Sequence, residues 1–358
     1  MAKTWRVGII GRTGRGNYGH NIDVAWKTYP GVQVVGVADD NPEGLRKAGE
    51  RLGVSALYAS YEKMLRDQKP EVTVIASRWV DAHREMALAA AEARSSIFME
   101  KPIAPNLAQC DRIIDACDRV HGKTSIAHNM RVCPILDFVE ARVREGLIGQ
   151  VQELRGRGKE DRRAGGEDMM VLGTHVFDLM RRFAGDPQWV SARVTVEGRE
   201  AKRSDVNPNG AEGLTYLAGD TIEAMYGFSG GMTGYFGSKK NPDVSGRRFG
   251  LDLYGSAGIL SIRAAHSPLV YQTASPTWTG EPWKRLEIPK HIGPHNELEA
   301  YHLMIADLLE AIEKDREPQA SARVARWTLE MAHGAYESHK RGARVALPLV
   351  NREHPLAS

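Results

Sequence analysis

Over its first 128 residues this chain alternates short apolar runs with amphipathic segments, and no other feature narrows its fold so far. Val7–Ile10, Gln33–Ala38, Val72–Ala76, Ser96–Met99 and Thr124–Ala127 are each short, apolar and bounded by Gly, Pro or polar residues, which is the pattern of buried strands. Helical segments lie between them. One runs to Tyr29 and stops at Pro30-Gly31, and another starts at Pro42 and stops at Gly53. Asp81 is placed to cap an alanine-rich helix from Ala82 to Ala93, and Asn106 with Gln109 forms a capping box before Leu107–Val120. Such alternation predicts a parallel sheet covered on both faces.

After about residue 129 the pattern changes. A helix over Ile135–Glu145 leads to a strand, Val151–Arg157, then to a loop rich in glycine and charge from Gly158 to Asp168, then to a helix containing Thr174–Phe183. Val190–Glu197, Thr221–Phe228, Met232–Ser238, Gly250–Tyr254 and Ile259–Ile262 follow as strands, separated by turns such as Ser229-Gly230-Gly231 and Ser256-Ala257-Gly258. Amphipathic helices over Glu297–Lys314 and Ala320–Arg341 close the chain. The expected fold is α/β: a Rossmann-like domain over residues 1–128, then an α+β domain over residues 129–358 built on a large, mostly antiparallel open sheet.

Charge and length remove other classes. With 48 Lys and Arg against 45 Asp and Glu, net +3 and spread along 358 residues, nothing calls for nucleic acid or an anionic membrane. No run of about 18 apolar residues exists to span a bilayer. The start, Met-Ala-Lys-Thr-Trp-Arg, runs straight into the first strand and leaves no room for a secretion signal. Three cysteines cannot all pair, and Cys110 and Cys117 are spaced too far apart along one helix face to bridge. A reducing, cytoplasmic setting is expected.

The turn after the first strand reads Gly11-Arg12-Thr13-Gly14-Arg15-Gly16-Asn17-Tyr18-Gly19. Glycines there let the backbone approach a pyrophosphate near the start of the next helix. Gly14, Gly16 and Gly19 satisfy the dinucleotide fingerprint literally, yet Gly11 is the glycine leaving the strand, so Gly11 and Gly14 are placed nearest the phosphates. The second strand ends in Ala38-Asp39-Asp40, where a carboxylate accepts from the adenosine ribose hydroxyls. That charge disfavours a 2′-phosphate and points to NAD, while Arg12 and Arg15 keep NADP open as an alternative. Glu100-Lys101-Pro102 stands at the end of another strand, where ligands of parallel sheets bind, and Pro102 biases Lys101 away from helix.

Together these elements resemble the glucose-fructose oxidoreductase / inositol dehydrogenase (Gfo/Idh/MocA) family. The resemblance runs through Val7–Gly19, Val37-Ala38-Asp39, His83, Glu100-Lys101-Pro102, Asn129-x-Arg131 with Pro134, Gly173-Thr174-His175-Val176-Phe177-Asp178, Tyr254-Gly255-Ser256-Ala257-Gly258 and Leu347-Pro348. It implies NAD(P)-dependent oxidation or reduction of sugars, polyols and related carbonyl compounds, in a homodimer or homotetramer built through the open face of the second sheet. The resemblance also assigns roles. Gly11, Arg12, Thr13, Gly14, Asp39, Ser77, Trp79, His83, Glu100, Lys101 and Asn129 would meet the cofactor. Lys101, Arg131 and His175 would meet the substrate, and Asp161 and Asp168 of the charged loop are placed with them on their own charge and position. Lys101 and His175 are the catalytic pair, the lysine stabilising the carbonyl oxygen and the histidine carrying the proton.

Some positions depart from the family. Many relatives carry an aspartate four residues before the histidine, where this chain has Val171. Asp168 is a candidate substitute if one helix carries both it and His175. Asp178 is another, against its reading as an ion-pair partner of Arg181 or Arg182. Ser77-Arg78-Trp79 replaces small residues, so Trp79 is placed to cover the cofactor, and His128 replaces an aromatic residue. The charged loop is expected to be solvated, with no metal, although it could reach substrate hydroxyls. His291, His295 and His302 stay unassigned, and Tyr271, Trp278 and Trp283 are either a stacking wall for a sugar ring or core. The rival reading is an NAD-retaining glycoside hydrolase that works by transient oxidation and elimination. A third, a non-catalytic cofactor sensor, is opposed by the presence of both Lys101 and His175.

Overall fold

A computed structural model describes residues 3–240, 248–274 and 282–357. The chain divides into two compact units. One runs up to Val132 and takes in Glu212–Leu214 and Leu298–Arg326, and the other comprises Cys133–Ala211, Thr215–Glu297 and the chain from Trp327 onward.

The first unit is a six-stranded sheet of β1 (Trp5–Ile10), β2 (Val32–Ala38), β3 (Leu57–Tyr58), β4 (Val72–Ile75), β5 (Ser96–Met99) and β6 (Thr124–Ile126). Every pairing is parallel, in the order β3-β2-β1-β4-β5-β6. Helices α1 (Ile22–Thr28), α2 (Pro42–Leu52), α3 (Tyr61–Gln68), α4 (His83–Glu92) and α5 (Leu107–Arg119) connect the strands. The predicted stops hold where their chemistry is local: Gly53 closes α2 in the left-handed region, and the Asn106 side chain accepts from the Gln109 amide. Asp81 does not cap α4. A short 3₁₀ turn, Val80–Ala82, precedes that helix, and Asp81 pairs instead with Arg12 at 2.6 Å. Between Val54 and Glu71, β3 and α3 carry too few apolar residues to announce themselves, although Ser60 caps α3 through the Lys63 amide.

Strand β1 is buried along nearly its whole length, and its core includes Trp26 set edge-on to Phe98 at 5.5 Å. Tyr301, Met304, Ile305 and Leu308, from helix α9 (Glu297–Glu313), join that core. The predicted boundary at 128/129 therefore needs correction. Residues 298–326 belong with the first unit because the apolar face of α9 buries there, a long-range contact that periodicity does not disclose.

The second unit contains α6 (Pro134–Arg144) and a ten-stranded sheet. Its strands are β7 (Val151–Arg157), β8 (Trp189–Val196), β9 (Arg199–Glu200), β10 (Thr221–Gly227), β11 (Thr233–Lys239), β12 (Gly250–Gly255), β13 (Ile259–Arg263), β14 (Leu269–Thr273), β15 (Lys284–Arg285) and β16 (Val345–Ala346). The order is β15-β14-β13-β12-β7-β11-β10-β8-β16, with β9 beside β8, and only β7 with β11 pairs parallel. Phe177, on α8 (Gly173–Ala184), packs on Phe236 at 4.6 Å and Tyr226 at 5.7 Å. On the strands that run past it, buried positions alternate with exposed Arg155, Glu223 and Tyr235.

The loop expected over 158–168 ends early, because Gly165–Val171 forms helix α7. Leu172, at φ −115°, interrupts the chain before α8 begins, so Asp168 and His175 lie on different helices and share no face. Among the described residues no helix is long and apolar enough to cross a membrane. Cys110, Cys117 and Cys133 are buried and form no disulfide.

Candidate cofactor and catalytic residues

In the first unit the glycine turn closes on itself as a small hairpin. The Arg12 amide donates to the Asn17 carbonyl at 3.1 Å, the Asn17 amide returns to Arg12 at 2.9 Å, and the Gly14 amide donates to Asn17 Oδ1 at 2.9 Å. Asp39, 2% exposed, accepts from the Thr13 amide at 3.1 Å, the Thr13 hydroxyl at 2.7 Å and the Asn41 amide at 3.0 Å. Ser77 Oγ donates to the Arg15 carbonyl at 2.7 Å. The turn is thus tied to the ends of both β2 and β4.

The glycines divide by what replaces their side chains. A Cβ on Gly11 would fall 2.3 Å from the Tyr18 ring, so that space is filled from within. Gly14, at φ +85°, has no heavy atom within 4 Å of the corresponding point, and Gly16, at φ +87°, faces the Arg78 amide nitrogen at 2.5 Å. Gly14 is where a pyrophosphate can lie close to the backbone. At Gly11 the missing side chain makes room for Tyr18. Burial and the Asp39 charge raise the Tyr18 phenol far above its ordinary pKa, and the Arg51 guanidinium lies over its ring at 4.8 Å. An open Gly14 and a carboxylate at the end of β2 fit the adenosine diphosphate half of a dinucleotide. Arg12 is buried against Asp81, which leaves Arg15 as the exposed arginine of the turn.

Trp79 is half-buried, with its amide on Ser77 Oγ at 3.2 Å. His83 is fully buried, with Nδ1 3.0 Å from the Pro102 carbonyl and Nε2 2.8 Å from the Ser77 carbonyl. Burial lowers its pKa, against the pull of those carbonyls. Glu100, 1% exposed, holds His20 Nδ1 at 2.7 Å with one oxygen and accepts from the Lys101 amide at 2.8 Å with the other. Burial would raise its pKa, but His20 and the Lys101 charge outweigh that and hold the carboxyl below its ordinary range. His83 and Glu100, both expected on the cofactor, are enclosed by protein instead. Lys101 is 6% exposed at the end of β5. Asn129 is buried and Arg131 half-buried on the 3₁₀ turn Asn129–Val132, and His128 is buried beside them.

In the second unit His175 is half-buried in the first turn of α8. Val171 is buried and carries no proton. Asp168, 0% exposed, accepts from the Lys159 amide at 3.2 Å, the Glu160 amide at 3.1 Å and Ser238 Oγ at 2.6 Å. Burial raises its pKa despite those three donors. Its predicted substrate or relay role is corrected: this carboxylate fastens the charged loop. Glu160 does the same, paired with Arg157 and Arg248 and accepting from the Lys239 amide at 2.9 Å. The loop is pinned rather than freely solvated. Burial would raise the Asp161 pKa, but Arg163, bonded at 2.6 Å, brings it down to about 2, and Asp161 meets a ligand only by sharing that partner. Asp178 lies 4.0 Å from Arg181, in keeping with the ion-pair reading.

His302 belongs to the first unit and bonds Thr28 at 3.1 Å. His291 and His295 are exposed, Tyr271 is half-buried on β14, Trp283 is 47% exposed, and Trp278 lies outside the described residues. Among the described residues no three His, Cys, Asp or Glu side chains gather as metal ligands. The residues that sequence reasoning overlooked are Tyr18 and His20. Their one signal is their place, on either side of Gly19.

Residues 5–128 match the profile of a family described as "Oxidoreductase family, NAD-binding Rossmann fold". Over 96% of its length the chain is 24% identical to D-apiose dehydrogenase of Paraburkholderia graminis, covering 90% of that protein. It is 24% identical to myo-inositol 2-dehydrogenase of Thermotoga maritima over 71% of this chain and 73% of that one. Among solved structures, a levoglucosan dehydrogenase in complex with NADH and L-sorbose superposes with a TM-score of 0.77 at 20% identity, covering 98% of this chain and all of that one.

Proposed function

This chain belongs to the Gfo/Idh/MocA family of NAD-binding oxidoreductases, and from that premise we propose that it moves hydride between NAD and a secondary alcohol or ketone of a sugar, polyol or sugar derivative. The observation that carries the reading is Lys101: an almost buried ammonium at the carboxyl end of β5, its backbone amide fixed by Glu100, in a sheet whose glycine turn leaves Gly14 open.

When bound, the nicotinamide supplies the hydride acceptor or donor. The chain's residues do the rest. Lys101 hydrogen-bonds the reacting oxygen and stabilises its partial charge, in surroundings with little water to compete. His175 takes the hydroxyl proton on oxidation and returns it on reduction, a role carried over from the family resemblance. Val171 upstream carries no proton, and Asp168 is spent on the loop. Asp39 offers the ribose an acceptor and repels a 2′-phosphate, favouring NAD.

The relatives named as sugar and polyol dehydrogenases support the substrate class. The exposed side of the strands carrying Arg155, Glu223 and Tyr235 supports assembly through the second sheet, and three cysteines outside any disulfide support a reducing, cytoplasmic setting. The test is Lys101→Met, which keeps much of the stem and removes the charge. We expect kcat to fall about 10²–10⁴-fold with NAD affinity little changed. Near-full turnover with saturating substrate would sink the proposal. Purified protein mixed with NAD and candidate sugars should form one NADH per alcohol oxidised; product without net reduction would instead indicate the hydrolase.

A further inference from the structure

We infer that His83 is a positioning residue that aims Lys101, an inference that rests on the proposed role of that lysine. His83 is 0% exposed and cannot meet a ligand, yet both its ring nitrogens are spent on backbone carbonyls, Pro102 at 3.0 Å and Ser77 at 2.8 Å. A carbonyl only accepts, and an imidazole whose pKa burial lowers carries one N–H, so the ring donates to one of these two carbonyls at a time. A purely space-filling residue would not need both ring nitrogens so placed.

The two carbonyls belong to the elements that matter most for hydride transfer. Pro102 is the neighbour of Lys101, so His83 grips the chain just past the lysine while Glu100 grips the lysine's own amide at 2.8 Å. Ser77 holds the Arg15 carbonyl of the glycine turn at 2.7 Å. Glu100 reaches the other end of that turn through His20, which follows Gly19, at 2.7 Å. Lys101 is therefore fixed from both sides of its backbone, by groups that also hold the middle of the turn that would cradle the cofactor and the residue that follows it. Its side chain inherits the direction that the clamp sets.

Removing the ring takes away the one N–H that serves these two buried carbonyls and the volume that spaces them, and the segment shifts in response. A displacement of about 1 Å at a catalytic group can cost on the order of 10²-fold. The test is a double-mutant cycle read as kcat at saturating NAD and substrate. His83→Leu should lower kcat about 10–100-fold when Lys101 is present, and less than about 2-fold in the Lys101→Met background. His83→Gln, which retains an N–H donor, should recover part of the loss. Thermal melts and NAD titration establish that each variant is folded, and if His83→Leu does not fold, the cycle is run with His83→Gln. An equal factor in both backgrounds would show that His83 does not act through Lys101 and would overturn the inference alone. Full turnover by Lys101→Met itself would overturn the proposed function, and this inference with it.

Discussion

Gly14 and Gly16 stand two residues apart with nearly the same φ, +85° and +87°, yet a methyl group added to each should do different things. In Gly14→Ala the methyl enters open space, so its intrinsic cost is the left-handed backbone, about 1 kcal/mol, or about 2–4 °C in melting temperature. A pyrophosphate lying against Gly14 would meet that methyl, and the NAD dissociation constant should rise at least tenfold, about 1.4 kcal/mol. In Gly16→Ala the same strain is joined by a Cβ only 2.5 Å from the Arg78 amide nitrogen and 2.7 Å from that of Trp79. Those are backbone atoms, so the turn itself must move, at about 3 kcal/mol or more. Differential scanning fluorimetry without cofactor, with calorimetric titration of NAD, separates the two effects. Gly14→Ala should be a nearly normal fold with poor binding, and Gly16→Ala a damaged fold. If Gly14→Ala melts within a few degrees of the native chain and binds NAD equally well, the pyrophosphate does not lie at Gly14.

With Asp39 proposed to meet the ribose, NAD should bind more tightly than NADP; equal or tighter NADP binding would show that Arg15 overrides the carboxylate. Asp168→Asn turns one acceptor of a buried three-donor site into a donor and should cost about 1–3 kcal/mol, opening the 158–164 loop to trypsin at Arg162 and Arg163; an unchanged cleavage rate would refute the pinning role. Burial holds His354 at about 4 against its ordinary 6.5, so the unfolded chain takes that proton first. Its stabilisation is complete above pH 6.5 and is lost as pH falls towards 4, up to about 3 kcal/mol. His354→Phe should accordingly flatten the fall in urea stability between pH 7 and 4.5, and an undiminished slope would contradict this. Light scattering at micromolar concentration should show a dimer or larger; a single monomeric species would remove the assembly from the proposal.

Where a structural feature depends on neighbours in the chain, it could be read from the residues alone. The strands β1, β2, β4, β5 and β6 fall within two residues of their expected limits because each is a short apolar run between breakers. Gly53 and Asn106 stop and start helices through bonds to residues no more than four positions away, so their chemistry travels with the sequence. The Glu-Lys-Pro segment and the glycine turn were legible for the same reason.

Long-range pairing was not legible. The sequence alone determined an alternating α/β first domain, a strand-rich second, a glycine turn followed by Asp39, and a lysine at a strand end. Only the tertiary structure decided that Tyr18 fills the space at Gly11, that Asp168 binds Ser238, 70 residues away, that His83 meets the Pro102 carbonyl and that Glu100 accepts from the Lys101 amide. The reason is energetic. A buried carboxylate or imidazole must find partners wherever the fold provides them, and burial and partner are fixed together only when distant segments meet.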